Sequence, residues 1–229
     1  MVEVTGSTQD DLYQLASSGT ATPKTILASE FQSSGRGRLD RTFEAAPHSA
    51  LTFSIYIEPK VDKEEWPFLT LLAGVSVHEA LHTIDPQTTV GVKWPNDLLI
   101  GDKKFVGMIA QATDKGVVIG IGINVGMSPE ELPVENSTSL AIEGFAVIDR
   151  NTILAAIINH FEINLEMWEN DQSFLAQYRA ASVTIGKDVE VTLPGGEVVK
   201  SRAVDISNAG GLMLENGSEI TVGDVVHLR

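Results

Sequence analysis

VGVKWPNDLLIGDKKFVGMIAQATDKGVVIGIGINV, residues 90–125, is the run that settles the fold class. Four apolar or alternating segments follow one another in it: Val90 to Trp94, Leu98 to Ile100, Phe105 to Ala112 and Val117 to Val125. The breaks between them, Pro95-Asn96, Gly101-Asp102 and Asp114-Lys115-Gly116, hold turn formers and are far too short for a helical crossover. Consecutive strands joined this way lie antiparallel, so a doubly wound parallel sheet is excluded.

Outward from this run, Leu51 to Glu58 alternates. Leu51, Phe53, Ile55 and Ile57 face one way and Thr52, Ser54, Tyr56 and Glu58 the other, which predicts a strand with one covered face. Glu64 to Ile84 changes to helical spacing, with Trp66, Leu69, Ala73, Val77, Ala80 and Ile84 on one stripe, and Asp85-Pro86 stops it. Nearer the start, Ser7-Thr8-Gln9-Asp10 opens a helix that Gly19 closes, and Thr25 to Ala28 reads as a buried strand. On the other side, a second long helix begins at Asn151 or Thr152 and buries Leu154, Ile157, Ile158, Phe161, Leu165 and Trp168; a shorter one covers Phe174 to Arg179. The order is α+β.

After about Ser182 the texture becomes short strands with glycine turns: Asp188 to Leu193, Glu197 to Asp205, Leu212 to Glu215 and Ser218 to Leu228. This is a small β-barrel or sandwich, too small to be stable alone and therefore packed on the first unit. The expected division is 1–182 for the main domain and 183–229 for the β module.

A chain of 229 residues, 43% hydrophobic and 21% charged, can bury one sizeable core plus an annex. No run approaches a membrane span and the start lacks the pattern of a signal peptide, so the cytoplasm is the expected compartment. With no cysteine there is no disulfide, thiolate catalysis or cysteine-bound metal. A formal net charge of -15 argues against duplex DNA and anionic membrane as partners.

Against that acidic background, SEFQSSGRGRLDRTF, residues 29–43, concentrates Arg36, Arg38 and Arg41 among glycines and serines. Guanidinium forks match phosphate oxygens in pairs, and glycines let backbone N–H groups turn inward, so this loop has the composition of a phosphate clamp. Other motifs are weaker. His78-Glu79-Ala80-Leu81-His82 fits H-E-x-x-H, but the core stripe of its helix points nearly opposite to both imidazoles, although Leu71 and Val75 share their side. Gly35-Arg36-Gly37-Arg38-Leu39-Asp40 lacks the third glycine of a dinucleotide turn, Gly120 to Gly126 has the wrong spacing, and no P-loop occurs.

Lys93-Trp94-Pro95-Asn96-Asp97 delivers an amide and a carboxylate to a sheet edge. Together with Gly35-Arg36-Gly37-Arg38, Lys104 in GDKKFVGM and Gly120-Ile-Gly-Ile-Asn124, it resembles the biotin protein ligases over essentially the whole chain from about Ser7. The resemblance implies a class II synthetase-like fold, a mixed and largely antiparallel sheet with flanking helices, followed by an SH3-like barrel. It also implies a reaction in two steps. Biotin and ATP, with Mg²⁺ on the phosphates, give biotinyl-5′-AMP, and the acyl group passes to a lysine on the biotin carboxyl carrier domain of acetyl-CoA carboxylase or a related carboxylase.

Carried over by motif, Lys104, Arg36 and Arg38 are the catalytic candidates, and D-x-K-x-x-G favours Lys104 over Lys103. Ser7, Thr8, Gln32, Gly35, Arg36, Lys104, Gly120 and Gly122 are implied at biotin. Arg36, Arg38, Arg41, Phe43, Asn96 and Asn124 are implied at ATP or the adenylate, with Phe43 where many relatives carry a tryptophan. Asn96 and Asn124 also suit simple turn caps. No protein ligand to a metal is implied.

Asp40 stands where many relatives have a glycine, which places a carboxylate in a loop expected to order over the adenylate. The start at the catalytic domain predicts no repressor-type DNA-binding unit. A homodimer through sheet edges and a monomer both stay open. So do a lipoate or octanoate ligase of related fold and a non-catalytic biotin-binding module.

Overall fold

In the computed structural model, which describes residues 1–38 and 41–228, two sheets carry the chain. Leu39 and Asp40, and with them the Asp40 replacement, lie outside the described residues. The large sheet runs β1 (Val2–Thr5), β2 (Ile26–Gln32), β3 (Ala50–Ile57), β7 (Val117–Asn124), β6 (Lys103–Ala112), β5 (Asp97–Ile100) and β4 (Val90–Lys93). All pairs are antiparallel except β1 with β2. The sheet is thus mixed and largely antiparallel, as the short turns require. β1 carried no sequence signal, being four residues that pair only along β2.

α1 (Thr8–Ser17) starts where Ser7 accepts from the Asp10 N–H at 3.4 Å, and Gly19 past its end has φ +73°. α2 (Phe68–Ile84) is shorter than its sequence pattern, because Lys63–Glu65 form a 3₁₀ turn ahead of Trp66-Pro67. α3 (Arg150–Glu169) begins ahead of the expected Asn151 or Thr152, capped by Asp149, which accepts from Thr152 N–H at 2.8 Å. Its deepest residues are Ile153, Ile157, Phe161, Asn164, Leu165 and Trp168; Leu154 and Ile158 are only partly buried. α4 spans Leu175–Ala181.

β3 departs from expectation. All eight of its residues are buried, on both faces. Phe53, Ile55 and Ile57 pack into the main core under α2 and α3, each worth about 1.5–3 kcal/mol of burial, while Tyr56 packs with Leu12 and Ala16 of α1 on the other side. Polar alternation marked the face that holds the site, not a face open to water.

The C-terminal sheet contains β8 (Asp188–Thr192), β9 (Val198–Ile206), β10 (Leu212–Leu214), β11 (Glu219–Ile220) and β12 (Asp224–His227), ordered β11-β10-β9-β8-β12. The single strand expected over Ser218 to Leu228 is broken in two around Gly223. This sheet docks onto the first through Trp94, whose indole N–H donates to Gly210 O at 3.0 Å and whose backbone N–H donates to Thr184 Oγ1 at 3.1 Å. Gly91 makes room for the same contact, since a Cβ there would stand 2.1 Å from Val183 Cγ1.

Candidate active site

Residues paired across a sheet point to the same side. One transverse row of register partners reads Gly122, Gly107, Asp97, Lys93, and a second reads Ser54, Gly120, Ile109. Both rows form the floor of a cavity of about 740 Å³. Three glycines leave the floor bare, and each is covered by a different side chain. A Cβ on Gly120 would meet Gln9 Oε1 at 2.7 Å, on Gly122 the Phe43 ring at 2.7 Å, and on Gly107 the Lys104 Nζ at 3.1 Å.

One end of the cavity is a closed polar network. Gln32 Oε1 accepts from the Thr8 backbone N–H at 2.7 Å and from its hydroxyl at 3.0 Å, while Thr8 Oγ1 and Ser54 Oγ lie 3.0 Å apart. Ser54 donates to Gln9 Oε1 at 3.3 Å, and Gln9 Nε2 donates to Val118 O at 3.1 Å. Thr8, Gln9 and Ser54 are buried, so the network is fixed by the fold.

The other end is cationic, and its charges are tied down. Lys104 Nζ lies 2.7 Å from Asp97 Oδ1, Arg36 pairs with Asp10 at 2.5 Å, and Arg41 with Asp224 at 2.5 Å. Arg38 donates to Asn96 Oδ1 at 2.7 Å and to Gly223 O, just ahead of β12, at 3.2 Å, so the second sheet reaches into the site. Burial pulls the Arg38 guanidinium below its ordinary value, opposed by Asp97 and Asp224, and the Asp224 carboxylate holds Arg41 above it. Burial likewise draws the Lys93 ammonium below the usual lysine range, Asp97 opposing and Lys104 adding.

Every residue implied at biotin or at the adenylate, Gly35 apart, lines this one cavity. Gly35 sits behind it, where a Cβ would stand 2.4 Å from Phe43 O. Ser7 is there as the α1 cap. Asn96 turns inward to bind Arg38, Asp97 and the Met108 carbonyl, and Asn124 donates to Thr138 O at 2.9 Å, so both amides organise their surroundings. The H-E-x-x-H histidines do not converge on a site. His82 is exposed, Glu79 accepts from Asn164, and no cluster of three ligands exists among the described residues.

The sequence profile of the Biotin/lipoate A/B protein ligase family matches residues 1–128, and that of the Biotin protein ligase C terminal domain matches residues 184–228. The biotin–[acetyl-CoA-carboxylase] ligase of Mycobacterium tuberculosis is 37% identical across all of this chain and 88% of its own length. The chain belongs to the biotin protein ligase family. The bifunctional ligase/repressor BirA of Bacillus subtilis is 30% identical over 95% of this chain and 69% of its own. Among solved structures, the Aquifex aeolicus biotin protein ligase in complex with biotin and ATP superposes with a TM-score of 0.84 at 27% identity, covering 100% of this chain and 97% of that one.

Among the polar side chains on this cavity, Gln9, Ser54, Lys93 and Asp224 carry no role assigned from the sequence, while the Asp97 carboxylate was expected at a sheet edge but without its partner Lys104. Ser54 sat in the polar half of an alternating strand, and Lys93 and Asp97 inside a motif whose spacing was noted. Asp224 had no local signal, because it enters from the other sheet.

Proposed function

We propose that this chain joins biotin to ATP and hands the acyl group to a lysine of a carboxylase carrier domain, as a biotin protein ligase of the cytoplasm. What supports the reading most is the order along the floor: an apolar, glycine-lined trough with fixed ring-sized polar groups at one end and clustered cations at the other. Biotin is a molecule of that shape, a ureido ring joined by an alkyl chain to a carboxylate.

The Thr8, Gln32 and Ser54 network takes the ureido ring, Gly120 and Gly122 let the alkyl chain lie on the backbone, and Phe43 covers it beside the adenine. The carboxylate then meets Lys104 above Gly107. Attack of a carboxylate oxygen on the α-phosphorus forms the mixed anhydride and breaks the bond to the β-phosphate oxygen; Lys104, Arg36, Arg38 and Arg41 neutralise the charge that accumulates. In the second step the neutral acceptor amine attacks the acyl carbon and AMP leaves. Mg²⁺ would come in with ATP and add to the charge neutralisation on its phosphates. The 1–182 unit carries the chemistry and the 183–229 unit clasps Arg38 and Arg41 from Gly223 and Asp224.

Biotin-dependent exchange of label between pyrophosphate and ATP tests this. The expected result is exchange in the wild type and its loss in Lys104→Ala; exchange driven by lipoate or octanoate instead of biotin would move the chain to the neighbouring branch of the family.

A further inference from the structure

Four of the five cations on the cavity wall are already engaged by the chain's own groups: Arg36 by Asp10, Arg38 by Asn96 and Gly223 O, Arg41 by Asp224, and Lys104 by Asp97. Lys93 is different. Among the described residues its ammonium donates no hydrogen bond and forms no ion pair, feeling Asp97, Asp224, Lys104 and Arg41 only at longer range. It is more than half withdrawn from solvent yet lines the cavity. A desolvated ammonium with no counter-ion at contact is an unfavourable arrangement unless an anion arrives to meet it.

Its place in the sheet says which anion. Lys93 is the register partner of Asp97, which is the partner of Gly107, the glycine under Lys104 Nζ. Lys93 therefore lies two strand spacings, about 10 Å, beyond the point where Lys104 meets the carboxylate and the α-phosphate. A triphosphate running along the row reaches Lys93 with its far end. We infer that Lys93 binds the β- and γ-phosphates and stabilises pyrophosphate as the leaving group, while Lys104 serves the reacting centre. As the Pα–O bond breaks, the electron pair and negative charge pass to the β-phosphate oxygen, and the Lys93 ammonium receives that charge without transferring a proton. Asp97, between the two lysines, keeps their mutual repulsion tolerable.

The inference rests on the ligase reading, and it separates the two half-reactions. In Lys93→Met, biotin-dependent pyrophosphate exchange should fall about 10- to 100-fold, the range for losing one charge-stabilising donor in a partly open site. Transfer from supplied biotinyl-5′-AMP to a carrier domain should stay within about threefold of wild type, which also shows that the variant folds. Lys93→Arg should recover part of the exchange rate. An equal fall in both half-reactions, or no change in either, overturns the assignment. Calorimetric binding of pyrophosphate itself, tight in wild type and at least tenfold weaker in Lys93→Met, tests Lys93 independently of turnover; equal binding would sink it. Absence of biotin-dependent exchange in the wild type would instead count against the ligase reading.

Discussion

Lys104 and Asp97 meet across a β-bulge. The register between β5 and β6 slips after Leu98, so Lys104 falls opposite Leu99 and its Nζ swings back over Gly107 to Asp97, 2.7 Å away. Without the bulge the side chain would project from a different position on the strand. The ion pair holds the ammonium at the junction between the glycine trough and the cationic end, where the proposed reaction brings a carboxylate and an α-phosphate together.

Asp97→Asn should therefore slow adenylate formation even though Asp97 carries no positive charge. The neutral amide still fills the space but no longer anchors Lys104, and a loss of about tenfold in exchange rate is expected, smaller than the 10²- to 10³-fold expected of Lys104→Ala. Parallel rate measurements on the two variants check the ranking; Asp97→Asn matching wild type would show that Lys104 is held by something else.

Gly122→Val should damage biotin binding more than folding. Its Cβ would enter the Phe43 ring at 2.7 Å, and overpacking of this kind costs about 1–3 kcal/mol. Phe43 is only partly buried and can move aside, so most of the cost falls on whatever lies against the ring. The expected signature is a biotin KM raised at least tenfold with a melting temperature within a few degrees of wild type.

Arg38→Lys tests the need for a planar fork. The guanidinium reaches Asn96 Oδ1 and Gly223 O with two different nitrogens, a span that one ammonium does not reproduce. The KM for ATP should rise roughly tenfold while that for biotin stays nearly constant. A lysine variant with wild-type ATP kinetics would show that ATP binding does not need the bridge.

Trp94→Phe isolates the contact between the two sheets. Trp94 is buried, and the change deletes the donor to Gly210 O and also the outer part of the indole, leaving a small cavity, for about 2–4 kcal/mol in all. Urea unfolding should report that loss.

The pH dependence of stability has an identifiable contributor in His227. Burial lowers its pKa to about 4, with Lys93 and Lys187 adding to the effect. The unfolded chain takes up a proton near pH 6.5 and the folded one does not, so this contribution is complete above about pH 6.5 and disappears as pH falls toward 4. For a half-buried ring the screened magnitude is about 1–2 kcal/mol. His227→Asn should flatten the fall in stability between pH 6.5 and 4.5 relative to wild type, as measured by denaturant titration at each pH.

The antiparallel sheet was legible because turns such as Gly101-Asp102 leave no alternative connection, and most helices because their apolar spacing is regular. Two features hid from the same reasoning for physical reasons. The alternation of β3 predicts solvent on its polar side, but Ser54 faces the cavity, Tyr56 packs on α1, and Thr52 donates to Ser29 O within the sheet. At the site, the arginines stood out as a cationic cluster in an acidic chain, while Lys104, Gly120 and Gly122 were implied by the resemblance to the biotin protein ligases. The pairings that set their geometry, Lys104 with Asp97 and Arg41 with Asp224, depend on a bulge and on a second sheet folding back across more than half the sequence. Local pattern carries residue type; register and docking decide who faces whom.

The hydrogen bonds among Thr8, Gln9, Gln32 and Ser54 have one more effect. Because Thr8, Gln9 and Ser54 are buried, Gln32 is partly so, and all four are oriented in advance, a plain fatty acid of the right length would cover them in the proposed site without offering a hydrogen bond in return, and a site built to bond a polar ring rejects such an impostor by a factor on the order of 10⁴. Fidelity toward a rare nutrient in a cell full of acyl chains would then be decided at entry, before ATP is consumed.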